Sequence, residues 1–188
     1  MSAVDGADAD DDAGEVDAGV DVDAGVDASN AAAADGEAAW FFEVQTTDID
    51  GGDFDAASYR GETLTVLNLW ATWCPPCVDE LPALAQVAKD YEGDGVAVVG
   101  VLLDAVDAAG QPDEAALETA HTLIADSGVD YPSIVTDALL YDNLVSATEY
   151  IPTTLIIDSG GSIVDNYVGG MDYDDWSAAI EEALKEAA

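Results

Sequence analysis

Two continuous apolar runs dominate the chain. Residues 64–70 (Leu-Thr-Val-Leu-Asn-Leu-Trp) and 96–103 are rich in β-branched and large apolar residues and read as buried strands. Residues 40–46, opening with Trp40, Phe41 and Phe42, predict an earlier strand, and 48–53 a hairpin turn into a short second one. Residues 58–61 predict a brief turn into the strand at 64–70. Residues 75–91 predict a helix kinked at Pro82 and closed by Gly93 and Gly95. Ala116, Leu117, Ala120, Leu123 and Ile124 recur at helical spacing within 113–126, and Ser127-Gly128 stops that helix. A short extended piece at 131–136 and a short helix at 138–145 follow. Strands at 153–158 and 162–168 are joined through Gly160 and Gly161, whose freedom suits a tight hairpin. From Asp172 onward, Trp176, Ala179, Ile180 and Leu184 form one face of a closing amphipathic helix. Strands alternate with helices early and pair as a hairpin late, which argues an α/β sandwich around a mixed sheet.

The first 39 residues break this pattern. They consist almost entirely of Asp, Ala, Gly and Val, with no aromatic residue and nothing to offset the entropy of ordering. They read as a disordered acidic linker of about 35 Å root-mean-square span, ahead of a folded domain at 40–188. Acids outnumber bases 41 to 3, for a formal charge of −38, and twelve of the acids lie in the linker. The domain is therefore strongly acidic too, its only cations being Arg60, Lys89 and Lys185. Nucleic acid is excluded as a partner, because phosphate contacts need Lys and Arg. Solubility or a saline habitat accounts for the charge as well as attraction of a basic partner does. No apolar run is long enough for a membrane span. The linker leads us to expect that a signal or lipoprotein anchor ahead of it has been removed.

Chemistry concentrates where the run at 64–70 gives way to a helix. Cys74 and Cys77 stand three apart, with Pro75 and Pro76 between them at the first helical positions, where proline's missing N–H costs nothing. Cys74 is placed at the helix N-cap, beside free backbone N–H groups and the positive end of the dipole, which favour its thiolate. Cys77 lies one turn inside, in reach to close a disulfide. Two cysteines and one histidine cannot build a closed zinc site in one chain. Two inert buried thiols would waste the helix N-terminus. The pair reads as a redox dithiol, with Cys74 accessible and easily ionised, needing neither metal nor cofactor.

The stretch Asn68-Leu69-Trp70-Ala71-Thr72-Trp73-Cys74-Pro75-Pro76-Cys77, followed by Glu80 and Pro82, resembles the thioredoxin superfamily. Within it the resemblance is to the TlpA/ResA-like extracytoplasmic thiol:disulfide oxidoreductases, with Leu69 replacing a Phe. Tyr150-Ile151-Pro152-Thr153-Thr154 is similar to the loop that carries the superfamily's cis-proline. The resemblance covers about 40–188. It implies a thioredoxin-like three-layer sandwich, with a mixed central sheet, an N-terminal β-hairpin and a helical insert. It also implies that Pro152 faces the dithiol, and that Trp73, Pro75, Pro76, Ile151 and Thr153 contact substrate. Asn68 stands where thioredoxin itself has a buried Asp, and Asn takes up no proton at physiological pH. Glu80, matching the family's Glu, is then a candidate for proton transfer, with a solvated helix-face Glu as the other reading.

Trp73 is expected to shield the disulfide and Trp70 to pack below it, a packing role serving for both. His121 stands alone on a helix and makes neither a triad nor a metal site. Asp48, Asp50, Asp53 and Asp55 suggest a calcium loop, but Asp53 occupies the position that needs glycine, so a solvated turn is expected. The implied activity is reduction of disulfides in extracytoplasmic proteins by a monomer, re-reduced by an upstream dithiol donor. A copper-binding redox chaperone remains an alternative, since copper(I) favours paired thiolates. So does a peroxiredoxin-like peroxidase, although that family's Thr three residues before the reactive cysteine falls on Ala71.

Overall fold

A computed structural model describes residues 38–107 and 110–187. The linker expected at 1–39 therefore lies, except for Ala38 and Ala39, outside the described residues. Eleven regular elements follow one another: β1 (Gln45–Thr47), β2 (Asp53–Asp55), β3 (Leu64–Trp70), α1 (Pro75–Asp90), β4 (Val96–Leu102), α2 (Glu114–Ser127), β5 (Ser133–Val135), α3 (Ala138–Asn143), β6 (Thr153–Asp158), β7 (Ile163–Val168) and α4 (Tyr173–Glu186).

All seven residues of β3 are buried, as a strand covered on both faces requires, and β3 is the middle strand of a five-stranded sheet ordered β5-β4-β3-β6-β7. It runs parallel to β4, pairing Leu64 with Val96 and Trp70 with Leu102, and antiparallel to β6. On one face Leu67, Leu69, Val99, Val101, Leu155 and Ile157 pack against Phe41, Phe42, Leu140 and Leu144. On the other, Leu64, Val66, Val98 and Ile156 pack against Leu84 and Val87 of α1 and Trp176 and Ile180 of α4. Burial of each such side chain contributes about 1.5–3 kcal/mol. The alternation along β3 thus fixes both its register and the three layers.

The opening strand expected at 40–46 is not formed. Residues Ala39–Glu43 make a turn of 3-10 helix, and the strand begins only at Gln45. A strand would send Phe41 and Phe42 to opposite faces. The turn instead buries both in one cluster, their ring centroids 5.6 Å apart. Ala38 is itself fully buried, its N–H donating to the Gly161 carbonyl at 2.6 Å, so the packed chain reaches two residues ahead of the boundary drawn from sequence. β1 and β2 form a separate hairpin whose tip is closed by Asp48, Oδ1 accepting from the Asp50 and Gly52 N–H groups. α1 continues through Pro82 without interruption.

Candidate active site

β3 ends at Trp70, and the chain turns through Ala71, Thr72 and Trp73 into the α1 N-cap, which is Cys74. Cys74 has extended backbone (φ −102°, ψ 99°), and its Sγ accepts from the Cys77 N–H at 3.4 Å. This is the N-cap arrangement, with sulfur in place of a serine or aspartate oxygen. Cys74 and Cys77 are joined as a disulfide. The pair is less open than the sequence suggests: Cys74 is 4% exposed and Cys77 wholly buried, over Trp70, Ala71, Leu81, Leu102 and Ala120. Packing of α2 and the end of β4 beneath the helix N-terminus accounts for the difference.

The Ile151–Pro152 bond is cis, and the Ile151 carbonyl oxygen lies 3.7 Å from Cys74 Sγ. In the disulfide this is a contact without a proton; in the reduced protein the same geometry can accept an S–H bond. The structure thus brings Cys74, Cys77, Ile151 and Pro152 together although 77 residues separate Cys74 from Ile151. Trp73 is 69% exposed beside the disulfide, with Pro75 and Pro76 exposed along the same rim, while Thr153 is buried and donates its hydroxyl to the Tyr150 carbonyl at 2.6 Å. Trp73 therefore stands beside the pair as a free face, whereas Trp70 is fully buried below it. Tyr150, to which the sequence assigns no role, is 66% exposed two residues ahead of the cis-proline.

Glu80 is 2% exposed, which removes the solvated reading. Its Oε1 accepts from Asn68 Nδ2 at 2.8 Å and its Oε2 from the Met171 N–H at 3.2 Å. Asn68 Nδ2 also donates to Thr154 Oγ1 at 2.9 Å, across the β3–β6 pair in which the two residues face each other. Burial pushes the Glu80 carboxyl up from 4.5 to about 7, against the opposing pull of the Asn68 amide, the Met171 N–H and the Trp176 indole. The indole has no hydrogen bond of ordinary geometry, so its share is that of a nearby dipole. A helix places Glu80 one turn beyond Cys77 on the same inner face. The result is a buried carboxyl, held well above the usual carboxylate range, one helical turn beyond the inner cysteine.

The loop between β7 and α4 closes this corner, and sequence reasoning missed it. The Gly169 N–H donates to the Pro152 carbonyl at 2.9 Å, and a Cβ on Gly170 would sit 3.0 Å from the Pro76 carbonyl oxygen. One short segment thereby touches the cis-proline, the cysteine turn and, through Met171, the buried Glu80. The two adjacent glycines were the available signal. An open cavity of about 570 Å³ beside it is lined by Pro76, Asp79, Glu80, Met171 and Tyr173, among others. His121 lies elsewhere, on α2, with Nδ1 3.6 Å from Asp50 at the hairpin tip.

A dithiol at the first turn of a helix, laid over a mixed sheet and faced by a cis-proline loop, defines a thioredoxin-like redox protein. The chain belongs to the AhpC/TSA family, whose model matches residues 36–167. Thioredoxin-like protein YneN of Bacillus subtilis is 32% identical over 137 residues, 73% of each chain. Thiol-disulfide oxidoreductase ResA of Halalkalibacterium halodurans is 28% identical over 138 residues, 72% of this chain and 69% of that one. Among solved structures, a thiol:disulfide interchange protein of the thioredoxin family from Chlorobium tepidum superposes with a TM-score of 0.61 at 26% identity, covering 75% of this chain and 92% of that chain. The three-layer fold and the mixed sheet are those the resemblance implied.

Proposed function

We propose that the protein is a thiol:disulfide oxidoreductase that reduces disulfides of extracytoplasmic proteins. The observation that carries this reading is the Cys74–Cys77 disulfide capping α1 against the Ile151–Pro152 loop. In the reduced protein the Cys74 thiolate attacks one sulfur of a substrate disulfide, forming a mixed disulfide and expelling the other substrate sulfur as a thiolate that takes up a proton. Cys77, giving its proton to Glu80 directly or through water, attacks Cys74 Sγ and releases the second substrate thiolate. The two electrons now reside on substrate, and the Cys74–Cys77 disulfide is re-reduced by an upstream dithiol protein. An extended substrate segment pairs with the backbone at Ile151, since Thr153 is buried and paired on both sides within the sheet, and the exposed Trp73 and Tyr150 supply apolar contact. Extracytoplasmic action and membrane tethering belong to the same proposal, supported by the likeness to ResA-type thiol-disulfide oxidoreductases and by the acidic composition of residues 1–39.

Insulin reduction driven by dithiothreitol tests the assignment. Cys74→Ser is expected to abolish turnover, and Cys77→Ser to accumulate a mixed disulfide visible on a non-reducing gel. Full turnover by Cys74→Ser defeats the proposal. Faster turnover of hydrogen peroxide than of insulin moves the chain to the peroxidase reading that the family match keeps in view.

A further inference from the structure

β4 does not stop serving the site at Leu102. The Leu103 N–H donates to the Trp70 carbonyl at 3.0 Å, carrying the parallel ladder one residue past the strand, and Asp104 then meets the cysteine turn from the side. The Thr72 N–H points between the two carboxylate oxygens of Asp104, 3.2 Å from each, and the Thr72 hydroxyl donates to Oδ2. Thr72 is thus held by every donor it has. It is the second residue of the turn that the Cys74 N–H closes on the Ala71 carbonyl at 3.2 Å. The next residue, Ala105, is buried in the cluster that contains both cysteines, and its carbonyl accepts from the Asp113 N–H at the start of α2. The carboxylate is therefore fixed between the cysteine turn and the helical insert.

We infer that Asp104 is a positioning residue for Cys74: it locks the turn that carries the attacking sulfur and stations a negative charge beside it, which makes the dithiol a stronger reductant. This rests on the proposed role of Cys74 as the attacking thiol. Charge-assisted hydrogen bonds to both Thr72 donors hold the turn more firmly than neutral partners would. A nearby anion disfavours the thiolate, and a pair whose thiolate is less stabilised is less readily reduced and so gives up its electrons more easily. The charge works against the α1 N-terminus, which favours the thiolate. Other charged or titratable groups on the elements packed at this corner include Asp79 and Glu80 on α1, Asp107 after β4, Asp113 at the α2 N-cap with Glu114, Glu118 and His121 along α2, Glu149 and Tyr150 ahead of Pro152, Asp172 ahead of α4, and Asp50 at the hairpin tip. Asp104 is bonded directly to the turn, through both Thr72 donors.

Three variants separate positioning from charge: Asp104→Asn keeps the shape and removes the charge, Thr72→Val keeps the charge and removes the hydroxyl, and Asp104→Ala removes both. Each is read by iodoacetamide alkylation of reduced Cys74 across pH, by equilibrium with glutathione, by insulin turnover and by thermal unfolding. Asp104→Asn is expected to lower the Cys74 midpoint by about 0.5 unit and to raise the equilibrium constant for reduction by glutathione about threefold. Thr72→Val is expected to hold the midpoint and to reduce insulin turnover about fivefold through the loosened turn. Should Asp104→Ala fail to fold, these two carry the test. A wild-type midpoint and glutathione equilibrium in Asp104→Asn overturn the charge role, and unchanged turnover in Thr72→Val overturns the positioning role. Wild-type protein that alkylates normally at Cys74 but reduces no insulin defeats the oxidoreductase reading alone, because the Asp104 effect is still read by alkylation.

Discussion

Glu80 is a buried acid whose ordinary value of 4.5 is raised to about 7. Between those values the native state holds a proton that the unfolded chain has released, so folding loses stability as pH rises. The loss begins near pH 4.5, is complete just above 7, and amounts to about 3 kcal/mol from this group. Glu80→Gln cannot ionise, so its stability relative to wild type should climb across that window and level off on either side. Urea denaturation at a series of pH values measures it; a constant difference from about pH 4 to 8 would contradict the burial. In turnover, the variant should lose the limb of the pH profile that Glu80 sets near neutrality while retaining Cys74 alkylation. Glu80 was legible as a candidate from its motif, but the sequence left it open to a solvated helix face; packing decided, and Cys77, Glu80, Leu84 and Val87 share one buried face. What could not be read was its partners. Thr154 is 86 residues from Asn68, and Met171 is 91 from Glu80.

At the scale of elements, caps and turns decide how firmly the site is framed. α2 starts at Asp113, whose Oδ1 accepts from the Ala115 and Ala116 N–H groups, both at 3.1 Å. Asp113→Ala should cost about 1 kcal/mol in chemical denaturation, with little change in Cys74 alkylation. The turn between β6 and β7 is stricter. Gly161 sits at φ +90°, and a Cβ there would fall 2.5 Å from the Ala39 Cα. Gly161→Ala should destabilise by about 1–3 kcal/mol or more, from the positive φ and from displacement of the Ala38–Glu43 stretch. Gly160→Ala meets only the Asp158 side chain, at 3.2 Å, and serves as the milder control. Equal losses for the two glycines would show that the contact with Ala39 carries no stability. The same contact ties the start of the domain to a turn 122 positions downstream from Ala39.

Over the whole molecule, 41 acids meet three cations, for a formal charge of −38. Lys89 lies in the last turn of α1, Lys185 in the last turn of α4, and Arg60 ahead of β3, where its guanidinium stacks 4.7 Å from the Phe42 ring centroid. All three sit toward the end of the sheet opposite the disulfide, leaving acids alone around the site. The exposed Lys185–Glu182 pair at 3.4 Å offsets little of this. Screening shortens from about 10 Å at 0.1 M salt to about 3 Å at 1 M. The melting temperature should therefore rise over that interval, and one that stays flat or falls would show that self-repulsion does not limit stability. Disulfide exchange should also favour a basic peptide disulfide over an acidic one at low salt, the preference shrinking as salt is added.

The sequence by itself determined what depends on neighbours along the chain. These are the buried strand at β3, the cysteine spacing that places a thiol at a helix N-cap, the prolines that begin α1, and the alternation of strands and helices. Each rests on backbone preference or on side-chain period, which a few residues suffice to express. Tertiary structure decided the rest: the depth of Cys74, the partners of Glu80, the hold of Asp104 on Thr72, and the closure of the corner by Gly169 and Gly170. These contacts join residues 12 to 94 positions apart, most of them across strands whose register is set only when both faces of the sheet are packed. Local pattern carries no record of that register, so the dithiol could be found in the sequence while its surroundings could not.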